Sequence, residues 1–192
     1  MKLRLDRHGW LIPGPGVSLV PSPNCDDRPS DMQISLLVIH NISLPPGEFG
    51  GPHVARLFTN TLDYGVHPWL ECLRGLRVSA HFFVRRDGTV IQFVAAGRRA
   101  WHAGVSHHGG RERCNDFSIG IETEGTDTLP YTDAQYATLA TLTQTLRGRY
   151  PLAAVRGHEH IAPGRKTDPG PAFDWLRYAK QAGWPLRLLP PA

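Results

Sequence analysis

The chain has 192 residues, 41% hydrophobic and 20% charged, with a formal net charge of +4. That length and composition suit one domain with a real core and exclude a collagenous, disordered or disulfide-stapled chain. The mild positive balance favours anionic ligands in general; with no nucleic-acid motif beside Arg85-Arg86 or Arg98-Arg99, nucleic acid is not an expected partner.

The three cysteines, Cys25, Cys72 and Cys114, are odd in number and lack paired spacing, which fits reduced thiols. Residues 1–9 carry no apolar run that could serve as a signal-peptide core. The longest apolar run, Leu36-Leu37-Val38-Ile39, is too short to cross a bilayer. The expected location is therefore the cytoplasm, with no membrane partner.

Residues 1–34 are irregular and Pro-rich and are expected to wrap the outside of the domain. Residues 35–39 read as a buried strand ending at His40, followed by a long Pro/Gly loop over 41–52. Val54, Leu57, Phe58 and Thr61 keep helical spacing, and Pro68 suits the first turn of a second helix. Residues 79–84 and 89–94 flank Asp87-Gly88, the signal of a hairpin. A second long loop, 95–115, precedes an alternating strand that puts Phe117, Ile119 and Ile121 on one face and Gly120, Glu122 and Glu124 on the other. The two long loops are expected to close over a ligand. Thr132 and Gln135 form a capping box for the longest helix, whose stripe runs Tyr136, Leu139, Ala140, Thr143, Leu146. Residues 153–155 form a short strand that delivers His158, and Pro171 opens a last helix stopped by Gly183. The pattern predicts a single-domain α/β (α+β) fold, a mixed β-sheet flanked by helices on both faces.

The chemistry concentrates in residues 157–170, where two imidazoles, a lysine and a carboxylate share a loop. His158 and Asp168 suit zinc as nitrogen and oxygen donors, but His160 has the same chemistry as His158, and composition does not choose between them. His40 ends a buried strand, a position that packed histidines also occupy. Glu122 reads equally as a buried general base or as an exposed strand-end glutamate. Lys166, by itself, reads as a loop lysine.

Five blocks carry a resemblance. These are Val38-Ile39-His40-Asn41 with the Pro/Gly loop behind it, Arg77-Val78-Ser79-Ala80-His81, Ala100-Trp101-His102-Ala103-Gly104, the stretch from Gly110 to Glu122, and Arg165-Lys166-Thr167-Asp168-Pro169-Gly170. In that order they resemble the AmpD-type 1,6-anhydro-N-acetylmuramyl-L-alanine amidases. The resemblance implies Zn2+ held by His40, His158 and Asp168, which selects His158 over His160. It implies Glu122 as the residue that activates water and Lys166 as the transition-state partner. Asn41, Arg77, Trp101, His102 and Arg113 resemble substrate-binding positions. The implied activity is zinc-dependent cleavage between the lactyl group of anhydro-muramic acid and L-alanine in muropeptides, by a cytoplasmic monomer of cell-wall recycling, with an indirect effect on β-lactamase induction. The match leaves 1–17 as an N-terminal extension, 18–183 as the amidase domain and 184–192 as a tail. His107, His108 and His160 stand in otherwise matching blocks where the family does not lead one to expect histidines.

Overall fold

The computed structural model describes residues 2–190. Its strands are β1 (Val17–Leu19), β2 (Cys25–Asp26), β3 (Leu36–Ile42), β4 (Phe82–Val84), β5 (Val90–Gln92), β6 (Arg99–Ala100), β7 (His107–His108), β8 (Arg111–Glu112), β9 (Ser118–Glu124) and β10 (Ala154–Gly157). The α-helices are α1 (His53–Phe58), α2 (Asp133–Arg147), α3 (His158–Ile161) and α4 (Trp175–Ala182). Six strands make one sheet in the order β1-β5-β4-β9-β3-β10; β4 and β5 run antiparallel and the remaining neighbours are parallel.

Strand β3, between β9 and the edge strand β10, is apolar because it is covered on both sides. Leu37 and Ile39 join Ile119, Ile121 and Val155 beneath α2 and α4, whose Tyr136, Leu139, Leu142, Leu146 and Tyr178 complete that layer. On the other side Leu36 and Val38 pack with Ala103, Cys114, Phe117 and Ile161. Farther along that face α1 and the 3-10 turn Pro68–Leu73 bring Val54, Leu57, Phe58 and Leu70 against Phe83, Ile91 and Phe93. The layered α/β architecture is the expected one, with helices on both faces.

Local signals explain the element ends. The Thr132 hydroxyl accepts from the Gln135 N–H at 3.1 Å and the Gln135 side-chain oxygen accepts from the Thr132 N–H at 3.0 Å, so both ends of the capping box are made. The whole anticipated stripe of α2 is buried. The turn of the hairpin needs Gly88, which sits at φ +83° with α2 close against it.

Three expectations are corrected. The last helix starts at Trp175, because Asp174, not Pro171, caps it by accepting from the Arg177 N–H at 2.9 Å. Phe117 precedes β9 with ψ 12°, so the two-residue alternation does not reach it, and it packs with Leu36 and Val38 on the opposite face from Ile119. The N-terminal segment does not merely wrap the domain. β1 extends the sheet, and Leu3 and Leu11 enter the core, as do Trp184 and Leu189 near the other end. The buried Gln92 side chain holds this segment by accepting from the Leu11 N–H at 2.6 Å and donating to the Gly9 carbonyl at 2.9 Å. Among the described residues no helix is long and apolar enough to cross a membrane.

Candidate active site

β9, β3 and β10 are parallel, so their C-terminal ends share one edge of the sheet, the edge where ligands bind in open α/β sheets. In the register His40 stands beside Glu122, which in turn stands beside Phe83; paired residues of neighbouring strands share a face. His158 follows directly after β10 as the first residue of α3.

The chain then doubles back to bring Asp168 opposite His158. The backbone N–H of Glu159 donates to the Asp168 carbonyl at 2.9 Å. Gly157 makes the close return possible: a Cβ there would stand 2.6 Å from Pro169 Cδ and 2.8 Å from His160 Nδ1. Gly170, at φ +79°, lies against the backbone of Asp127 and leaves no room for a side chain.

Three donor atoms converge. His40 Nδ1 lies 3.0 Å from His158 Nδ1 and 3.1 Å from Asp168 Oδ2, and His158 Nδ1 lies 3.2 Å from the same oxygen. His40, His158 and Asp168 are the group among the described residues with the geometry to hold a metal ion. His158 Nε2 is 3.1 Å from the Ala103 carbonyl, which only accepts, so that nitrogen carries the ring proton and a neutral ring turns a bare Nδ1 to the cluster. Facing it is a carboxylate oxygen with lone pairs of its own. Two lone pairs at this separation repel unless a cation lies among them, and two nitrogens with one oxygen suit zinc. The residues therefore fit the ion. Burial and the neighbouring His158 hold the His40 imidazole down to about 4, which keeps it neutral as a ligand must be.

A cavity of about 540 Å³ opens beside the cluster. Its polar wall includes Asn41, His102, Glu122, Asp127, His158, Lys166 and Asp168, and its apolar wall includes Leu44, Trp69, Leu73 and Leu76. Such a mixed wall suits an organic ligand with a few polar anchors. The Glu122 side chain is buried, and its Oε2 has no hydrogen-bond partner. Burial, reinforced by the Asp168 charge, raises its carboxyl well above the usual carboxylate range, and Lys166 draws it partly back. Glu124, two residues on, has a different task. Its carboxylate accepts from the backbone N–H groups of Gly50 at 2.6 Å and Arg86 at 2.9 Å, tying down the 41–52 loop.

Seven of the ten residues singled out from the sequence thus meet at one place: His40, His158 and Asp168 in the cluster, and Glu122, Lys166, Asn41 and His102 at the cavity beside it. Arg77, Trp101 and Arg113 do not line this cavity. Arg77 is exposed. The Trp101 indole N–H donates to Asp26 Oδ1 at 3.2 Å. Arg113 reaches Asp116 at 3.3 Å and edges a neighbouring groove with Gly104 and Arg165. His160 turns away from the cluster, its Nδ1 accepting from the Gly157 N–H at 3.0 Å and its ring edge-on to Trp175.

Sequence reasoning missed Asp127, which accepts from the Asn41 amide at 2.8 Å and so orients a cavity-wall residue. The signal was available: Gly125-Thr126-Asp127-Thr128 is a polar run just past a buried strand, where crevice residues gather. The apolar wall from the 3-10 turn Pro68–Leu73 had no such signal, because Trp69 and Leu73 look like ordinary helix residues.

The chain matches the family model of the N-acetylmuramoyl-L-alanine amidases over residues 30–171. It is 61% identical over 172 residues to the 1,6-anhydro-N-acetylmuramyl-L-alanine amidase AmpD of Salmonella typhimurium (strain SL1344), covering 88% of this chain and 90% of that one. The crystal structure of a selenomethionine AmpD derivative superposes with a TM-score of 0.88 at 59% identity, over 92% of this chain and 98% of the other. The E. coli amidase AmiD, solved in complex with the substrate anhydro-N-acetylmuramic acid-L-Ala-D-gamma-Glu-L-Lys, is similar at 27% identity and a TM-score of 0.57, over 92% of this chain and 65% of that one. With the family match across most of the fold and identity this high over nearly the full length of both chains, the protein belongs to the N-acetylmuramoyl-L-alanine amidases, as a member of the AmpD-type 1,6-anhydro-N-acetylmuramyl-L-alanine amidases.

Proposed function

We propose that this amidase is zinc-dependent and cuts the amide between the lactyl group of 1,6-anhydro-N-acetylmuramic acid and L-alanine, as a monomer in cytoplasmic recycling of muropeptides. The observation that carries the metal assignment is the convergence of His40 Nδ1, His158 Nδ1 and Asp168 Oδ2 at 3.0–3.2 Å beside a buried carboxylate with an unpartnered oxygen. Similarity to AmpD supports the substrate assignment and the recycling role.

His40, His158 and Asp168 would hold the ion. Zinc at such a site supplies a Lewis acid that lowers the pKa of water toward about 7 and polarises a carbonyl. Glu122 takes the proton from the attacking water and delivers it to the departing L-alanine nitrogen. Its burial suits that task, because a carboxyl raised well above the usual carboxylate range takes up a proton more readily than an exposed one. The Lys166 ammonium, on the same cavity wall, offsets the negative charge that grows on the carbonyl oxygen. The Asn41 amide, held by Asp127 and by the Pro169 carbonyl at 3.1 Å, orients the substrate at the reacting end. Arg77 and Arg113 are proposed to meet the peptide, and Trp101 the sugar, beyond the cavity wall. An indirect effect on β-lactamase induction rests on the AmpD likeness alone; it would be read in the uninduced β-lactamase level of the host once the gene is removed, and an unchanged level would refute it.

Lys166→Ala is expected to keep stoichiometric zinc and lose about 10²–10³ in kcat, the effect of removing one group that stabilises an oxyanion. A variant with near-normal turnover would remove Lys166 from the mechanism. The whole reading is tested by metal analysis of the purified protein, paired with turnover of an anhydro-muropeptide before and after treatment with a chelator. Zinc near one per chain, activity abolished by the chelator and restored by zinc are expected. Undiminished turnover in metal-free protein would refute the reading.

A further inference from the structure

Each histidine of the cluster has a second ring nitrogen, and the partner of that nitrogen decides where the ring proton sits. Behind His40 the contacts begin at a group with no choice of role. The Cys114 carbonyl only accepts, so the Ser118 hydroxyl, 2.6 Å away, donates to it. Ser118 Oγ is then left to accept from His102 Nε2–H at 3.1 Å. With its proton on Nε2, a neutral His102 presents a bare Nδ1, and His40 Nε2–H donates to it at 2.9 Å. His40 Nδ1 is consequently bare on the side that faces His158 and Asp168. The relay has one direction, because its last acceptor is a backbone carbonyl.

The same short segment sets the second histidine. Asn115 Oδ1 accepts from the backbone N–H groups of His102 at 3.1 Å and Ala103 at 2.8 Å. This fixes the Ala103 carbonyl where His158 Nε2–H donates to it. Gly120 leaves room for the His102 ring, since a Cβ there would stand 2.5 Å from the ring's Cγ. His102 is only 8% exposed, with both ring nitrogens engaged inside the protein.

We propose that His102, backed by Ser118, is a positioning residue: it fixes the tautomer of His40 so that Nδ1 is the metal-binding atom, and its ring nitrogens do not meet substrate. The proposal rests on the zinc reading above for its purpose, but the tautomer is a property of the protein itself. Long-range proton–nitrogen correlation spectra of the full chain, labelled with 15N-histidine, read it with and without zinc. In the metal-free chain His40 is expected to carry its proton on Nε2, with Nδ1 unprotonated. The reverse tautomer overturns the proposal whether or not zinc binds, whereas failure of the zinc reading shows only in metal analysis.

A second arm measures zinc affinity by chelator competition. His102→Phe keeps ring volume and loses the acceptor, and is expected to weaken zinc binding by about 10–100-fold. His102→Asn returns an oxygen near the former Nδ1 and is expected to recover part of that loss. Equal affinities in the wild type and both variants would overturn the proposal. Should the phenylalanine variant not fold, Ser118→Ala serves in its place: freeing His102 Nε2 is expected to mix the His40 tautomers, and an unmixed His40 signal would remove Ser118 from the relay.

Discussion

Asp168→Ala is expected to lose zinc and turnover together. The carboxylate supplies one of three protein donors, and it is the one with a full charge. A four-ligand structural zinc site binds with roughly 10–16 kcal/mol, or about 3 kcal/mol per ligand, so loss of one donor weakens affinity by about 10²–10³. The backbone of residue 168 keeps its role in the alanine variant, because the Glu159 N–H donates to the carbonyl and not to the side chain. The chain return at Gly157 is set by backbone and by Pro169, so the fold is expected to survive. Metal analysis after gel filtration, with circular dichroism as the control for folding, checks this. A folded Asp168→Ala protein that retains zinc one-to-one would remove Asp168 from the metal site.

Glu122→Gln is expected to separate the two properties, with zinc retained and turnover down by about 10²–10⁴, the range for loss of a general acid–base group. The substitution preserves shape in a fully covered strand, so neither the pairing with His40 nor the packing against Phe83 is disturbed. An amide cannot take a proton from water at neutral pH. It also has no charge to be suppressed by burial, so the variant is expected to be at least as stable as the wild type. Substantial residual hydrolysis by zinc-replete Glu122→Gln would require another base. Glu124→Gln makes a useful contrast, because that carboxylate is engaged by the Gly50 and Arg86 N–H groups and its loss should loosen the 41–52 loop instead.

Much of the fold was legible from local signals. The capping box at Thr132 and Gln135, the stripe of α2 and the hairpin about Asp87-Gly88 depend on residues within a few positions of one another. The alternation of β9 correctly put Gly120, Glu122 and Glu124 opposite Ile119 and Ile121. Where the reading failed, a long-range partner decided. Nothing within residues 1–34 announces that β1 will find β5, or that Leu3 and Leu11 will be needed to cover α2. The N-terminus of α4 went to Asp174 over Pro171 because Asp174 also receives support from the Tyr136 hydroxyl, which accepts from its N–H at 2.7 Å.

The site divides along the same line. Residue types and order in the chain determined by themselves which side chains have the chemistry: imidazoles at 40, 158 and 160, carboxylates at 122 and 168, an ammonium at 166. They also carried the family resemblance that chose among them. Three-dimensional packing decided what composition leaves open. His158 faces His40 and Asp168 while His160, two residues on, is turned toward Trp175. Glu122 is buried beside a cavity, whereas Glu124 on the same face is bound by backbone N–H groups. The physical reason is that a donor's identity is local, but its direction, proton and solvation are set by neighbours such as Ala103, Ser118 and Gly120 that come from distant parts of the chain.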